Sequence, residues 1–207
     1  MRSSTDRRPA VRSDTRREAI LDALDEWLRG SSLEAINVAE IAKQAGVSRS
    51  AFYFYFENKA AAVAALMERI IDEVEAVNTE FVTGEASPRD RVVTMLDGLL
   101  DTCDRYRHVF GAMLEARGSS AAVREIWDSA RESFAPAVAD LIAAQQLPPS
   151  LRSPECEVPG PRVLALVLLE FNDRIIERFV LGGPLSRAEL TDGAAAVWLS
   201  TVYGVSG

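Results

Sequence analysis

Apolar residues recur at three- and four-residue steps along nearly the whole chain, and strict alternation is almost absent. That period lines apolar side chains along one face of a helix, so the pattern predicts an all-α protein. A first helix spans about 13 to 28, with Ile20, Leu21, Leu24, Trp27 and Leu28 on one face and Gly30 as its stop. A second starts after Asn37, a good N-cap, and Glu40 three residues on completes a capping-box pattern. Gly46 follows as a turn, and a third helix starts after Ser48. A long helix beginning near Asn58 carries Val63, Met67, Ile70, Val74, Val77 and Phe81 in one stripe. Helices over about 88–104, 106–116, 120–145, 162–181 and 186–203 bring the set to about nine. Pro136 lies inside the 120–145 pattern and is expected to kink it, because it lacks an N–H and crowds the preceding turn. Residues 147–161 hold five of the nine prolines and read as a long loop.

The first three helices fit together. Val38, Ile41, Ala42 and Ala45 face inward from the second, and the alanines let a crossing helix approach closely. Gly46 can take the left-handed conformation of a tight turn, and Val47 plugs the corner. Phe52 and Phe56 close a core with Ile20, Leu24 and Trp27, which is the logic of a helix-turn-helix. Ser48, Arg49, Ser50, Tyr53, Phe54 and Tyr55 are then left outside on the third helix. Hydroxyls near a helix start favour phosphate, and Arg49 can read guanine or clamp phosphate. Tyr53 and Tyr55 can donate to phosphate while their rings cover sugars. Lys59 adds a positive charge nearby. Three exposed aromatics on one short helix are costly on a free surface. The chain is therefore read as a flexible basic arm over 1–12, a DNA-binding head over 13–58 and a larger body over 59–207.

Composition agrees with a packed protein. Of 207 residues, 48% are hydrophobic and 7% aromatic, enough for a real core. The longest apolar runs, 60–67 and 163–169, fall far short of the about 20 residues that span a bilayer. The arginine-rich start has no apolar stretch of a secretory signal, and two cysteines make no disulfide framework, so a cytoplasmic protein with no membrane partner is expected. The net charge of −8 argues against nucleic acid until its distribution is seen. Residues 1–17 carry six arginines against two aspartates, and 43–59 carry Lys43, Arg49 and Lys59 against Glu57. Locally basic N-terminal elements on an acidic body suit a protein that touches DNA at one end. Arg7, Arg8 and Arg12 either enter a minor groove or are solvated charge.

Enzymatic signatures are missing. His108 is the single histidine, no Gly-rich nucleotide loop or metalloprotease motif occurs, and Asp97, Asp101 and Asp104 read as a solvated face. No catalytic residue, cofactor or metal is expected. The competing reading is a helical protein-interaction adaptor without DNA binding.

AEIAKQAGVSRSAFYFYFENKAAAV resembles the N-terminal motif of the TetR family of bacterial transcriptional repressors, and the similarity extends through MERIID to VWLSTVYG. The resemblance implies an omega-shaped homodimer of nine-helix chains that binds a palindromic double-stranded operator. By motif match, Ser48, Arg49, Ser50, Tyr53, Tyr55 and Lys59 take the DNA contacts. Phe54 stands where many members have a polar residue; it stacks on sugars or meets a thymine methyl.

In the body, Glu170, Asp173, Arg174, Glu177 and Arg178 form a polar stripe, while Ala165, Leu168, Ile175, Ile176 and Phe179 face the other way. Asn172 falls within the apolar face. A buried Asn either bonds a neighbouring helix or is a polar handle in an apolar ligand cavity. In the branch of the family it resembles, an Asn at the matching place lies in an apolar channel lined by aromatics. The resemblance therefore implies an apolar small-molecule effector held by Asn172, Trp127, Phe134 and Trp198, with Met95, Leu99, Cys103, Phe110 and Met113 as walls. The last two helices are expected to form the dimer, with Leu164, Val167, Phe171, Ala195, Leu199 and Val202 as candidate contacts, although periodicity does not separate the dimer face from the core face.

Overall fold

A computed structural model describes residues 8–145 and 159–204, with side chains from Thr15 onward except those at 72, 73, 75, 78 and 122. Ten α-helices and no strand occur among them. They are α1 (Arg8–Leu28), α2 (Val38–Gln44), α3 (Arg49–Tyr55), α4 (Lys59–Thr83), α5 (Pro88–Arg105), α6 (Arg107–Ser119), α7 (Ala121–Glu132), α8 (Ala135–Ala144), α9 (Pro161–Leu181) and α10 (Arg187–Tyr203). α1 begins before the expected start near Ser13. The side chains of the expected basic arm, and most of the proline-rich loop, lie outside the described residues.

The chain divides into two compact units. The first takes residues up to Ile70 together with His108–Arg124, and the second takes Ile71–Arg107 together with residues from Glu125 on.

In the first unit, Ile20, Leu24, Leu28, Ile41, Ala42, Phe52 and Phe56 are each buried, and α2 packs against both α1 and α3. Arg69 of α4 bonds Glu18 and, at 2.9 Å, Asp22 of α1. These pairs are solvent-screened and contribute little beside the packing. α6 is fastened to α1 through His108 Nε2 and Asp25 Oδ1, 2.8 Å apart. Burial opposes ionisation of Asp25, but hydrogen bonds from His108 and Arg29 outweigh it and hold the carboxyl below the usual range.

In the second unit, Phe81, Val92, Met95, Leu96, Val138, Leu141, Ile142, Leu168 and Trp198 form one core. Phe81 and Trp198 meet edge to face at 5.4 Å. Arginines close the helix ends. Arg91 donates to the Phe81 and Val82 carbonyls at the end of α4, the latter at 2.8 Å. Arg107 donates to Phe179 O at 2.8 Å and Val180 O at 2.9 Å, satisfying carbonyls that α9 leaves open. The aspartate face of α5 is more than a solvated surface. Arg187 of α10 lies 2.7 Å from Asp101, Thr191 bonds Asp97 at 3.2 Å, and Asp104 pairs with Arg107 at 3.0 Å.

Three expectations are corrected. The 120–145 helix is two helices, α7 and α8, because Pro136 cannot donate to the carbonyl of Glu132, where α7 stops. Pro136 instead sits in the first turn of α8, where its missing N–H has no partner to lose. Ala195, Leu199 and Val202 are not a free face but part of the core around Trp198, with Leu164 and Phe171 packed against it. Apolar residues run all round α10, so periodicity could not choose its inner side. On α9, Asp173 leaves the solvated stripe and is 13% exposed, taken inward by two donors from α7.

Candidate nucleic-acid interface

α2 is pinned at its start. The Asn37 side chain accepts from Ala39 N at 2.9 Å, and Glu40 reaches back to Asn37 N at 3.3 Å, the capping box the sequence announces. At its end Gly46 takes φ 67, which only glycine adopts without strain. That turn lets Val47 N reach Ala42 O at 2.9 Å and Gly46 N reach Lys43 O at 3.2 Å, closing α2 and redirecting the chain. Ser48 then caps α3, its Oγ accepting from Ala51 N at 3.1 Å and lying 2.9 Å from Ser50 Oγ.

α3 presents what the sequence places there. Phe52 is fully buried, Tyr53 is 45% exposed and Phe54 is 78% exposed. Ser48, Arg49 and Ser50 are exposed and Tyr55 half-buried. Arg49 lays its guanidinium over the Tyr53 ring at 5.6 Å, with Nη2 3.5 Å from the hydroxyl. The Phe54 and Tyr55 rings meet edge to face at 5.1 Å. Hydroxyls, a guanidinium and rings thus share the solvent-facing surface of α3.

Lys59 is placed differently from its expected role. Its ammonium donates to the carbonyls of Leu33 at 2.5 Å, Ile36 at 2.7 Å and Glu34 at 3.1 Å. It fastens the turn that leads into the α2 cap.

The expected effector residues are drawn from both units. Phe110 and Met113 are buried in the first unit. Met95, Leu99, Cys103, Trp127, Phe134, Asn172 and Trp198 belong to the second, all buried except the half-buried Phe134. Burial pushes the Cys103 thiol up to about 12, so it packs as a small apolar side chain. Asn172 is 7% exposed and its Oδ1 accepts from Trp198 Nε1 at 2.9 Å, so two of the expected ligand residues satisfy each other. Trp127 Nε1 donates to Asp173 at 2.8 Å, and Arg131 meets the same oxygen at 2.8 Å and Glu170 at 2.9 Å. Sequence reasoning missed Arg131. The signal was there, since a charged residue follows Trp127 by one helical turn within the apolar stripe. A cavity of about 420 Å³ opens where α7 gives way to α8, lined by Val82, Phe134, Ala137 and Val138 among others.

The outward surface of α3 on its three-helix base defines a DNA-binding helix-turn-helix head. The family of bacterial regulatory proteins named for tetR matches residues 20–66, and the C-terminal domain of the transcriptional regulator EthR matches 92–204. The HTH-type transcriptional regulator EthR of Mycobacterium tuberculosis is 28% identical over 199 residues, covering 92% of this chain and 88% of its own. A transcriptional regulator from Rhodococcus sp. Rha1 shares the fold at a TM-score of 0.65 and 21% identity, with 91% and 96% covered. FadR from Bacillus subtilis, solved in complex with stearoyl-CoA, shares it at 0.62 and 19% identity, with 91% and 98% covered. The chain belongs to the TetR family, with a C-terminal domain of the EthR type, and is a DNA-binding transcriptional regulator.

Proposed function

We propose that this chain silences a promoter as a homodimer on a palindromic operator and that a mostly apolar small molecule in its C-terminal unit releases it. The observation that carries the reading is the solvent-facing surface of α3, with Ser48, Arg49, Ser50, Tyr53 and Phe54 exposed and Tyr55 half-buried on a base whose Phe52 is fully buried. Such a helix fits a major groove, with hydroxyls and the guanidinium reaching phosphate. Nothing in this reading requires catalysis, and its site of action is the cytoplasm, with the DNA.

The dimer forms through the outer faces of α9 and α10. Val163, Val167 and Val197 are exposed there, beside Gly193, Ala196 and Ser200. Small residues let helices approach closely in a four-helix bundle. Effector entry runs through the break between α7 and α8. The cavity there is mostly apolar, and the Asn172–Trp198 pair is the buried polar handle in the core of the same unit. A related fold, FadR, holds stearoyl-CoA, a molecule with a long apolar chain. α4 contributes to both units, so an effector that favours a different placement of α4 changes operator affinity. It does so only as far as it binds the DNA-incompetent state more tightly.

A gel-retardation titration with the DNA immediately upstream of its own gene tests the core of this. Ligand-free, dimeric protein is expected to retard that fragment, with log affinity falling linearly in log salt. Absence of retardation on any nearby promoter refutes operator binding and leaves the helical adaptor.

A further inference from the structure

The exposed residues of α3 are not equivalent. Buried Phe52 marks the inward direction. At about 100° per residue, Ser50 and Phe54 lie within about 20° of the direction opposite to it. Arg49 with Tyr53 occupies one flank, and Ala51 with Tyr55 the other. Exposure follows the same order, 78% for Phe54 against 45% for Tyr53. On a helix laid in a major groove the outermost face meets base edges, and the flanks meet the phosphate walls.

Arg49 is drawn toward its flank, with its guanidinium stacked on Tyr53 at 5.6 Å. The apex is left to a small hydroxyl and a phenyl ring. The ring carries no donor or acceptor, so it cannot bond phosphate. It is also steadied, with its neighbour Tyr55 edge-on at 5.1 Å and 89°. The apolar group that a base pair displays in the major groove is the thymine 5-methyl. We propose that Phe54 is the base-specifying residue of α3 and reads the 5-methyl of one thymine in each half-site. The assignment rests on the operator-binding reading above.

The operator sequence need not be known in advance for the test. Full-length protein enriches tight binders from a random double-stranded pool, and each thymine of the enriched duplex is then replaced by deoxyuridine, which lacks only the methyl. At one position per half-site the replacement is expected to weaken wild-type binding about fourfold, and about fifteenfold when both half-sites carry it. Phe54→Ala, at a solvent-exposed site that should leave the melting temperature unchanged, is expected to bind the two duplexes alike. Tyr53→Phe is expected to weaken all duplexes equally and keep the thymine preference, as loss of a phosphate contact should. A wild-type protein indifferent to every thymine methyl overturns the assignment while its salt-dependent binding keeps the operator reading intact. So does a Phe54→Ala protein that weakens uniformly and still prefers thymine, which makes the ring a sugar contact. Failure of the pool to yield any salt-sensitive duplex overturns both.

Discussion

Replacing Lys59 with Met separates two physical roles that the sequence merges. The side chain is half-buried, and its ammonium donates to the carbonyls of Leu33, Glu34 and Ile36. Methionine keeps most of the stem's apolar contact and removes the charge with its donors. Hydrogen bonds from a charged group contribute about 1.5–3 kcal/mol each when shielded. Here water competes on one side, so the three together are worth about 2 kcal/mol. At about 2–4 °C per kcal/mol for a chain of this size, the head should melt about 4–8 °C lower. A phosphate contact has another signature. Its loss leaves melting unchanged and lowers the slope of log affinity against log salt by about one per subunit, two per dimer. Calorimetry and a gel-shift salt titration on the same protein decide between them. A lower melting temperature with an unchanged slope is expected. An unchanged melting temperature with a shallower slope would refute the fastening role and return Lys59 to the operator contacts.

Asn172→Leu should remove the partner of Trp198 Nε1, lowering stability by about 1–3 kcal/mol, and should weaken apolar effector response; unaltered operator release by the effector would exclude Asn172 from the ligand site. Asp25→Asn should cost about 1–2 kcal/mol near neutral pH by weakening the His108 and Arg29 bonds. The Asp25 carboxyl is depressed in the folded state, so its contribution is present above the unfolded value of 3.8 and disappears as pH falls through the lower folded value. Denaturant midpoints of wild type and variant should therefore converge only in acid, below pH 3.8; a constant gap across that range would show that ionisation is not its source.

Much of the head was legible residue by residue. Asn37 and Glu40, Gly46 and Ser48 each determine a local geometry within three or four positions, and local geometry is what spacing encodes. The alternation of buried Phe52 and Phe56 with exposed Tyr53 and Phe54 likewise follows from helical period alone. Pro136 was legible as a disruption but not as a kind of disruption. A proline that kinks a helix and one that starts a new helix remove the same donor, and the difference lies in whether neighbours compensate for the break.

The sequence by itself determined an all-helical chain, the helix-turn-helix and the residues on its outer face. Each of these depends on contacts between near neighbours in the chain. Tertiary structure decided the rest: that His108–Arg124 groups with the head, that Trp198 claims Asn172, that Asp173 turns inward to Arg131, and that Lys59 closes a turn. An amphipathic face states that it must be covered but not by what, and a buried polar group states that it needs a partner but not which one. Those choices are settled by residues brought together from distant parts of the chain, where packing and the cost of an unpaired donor act at once.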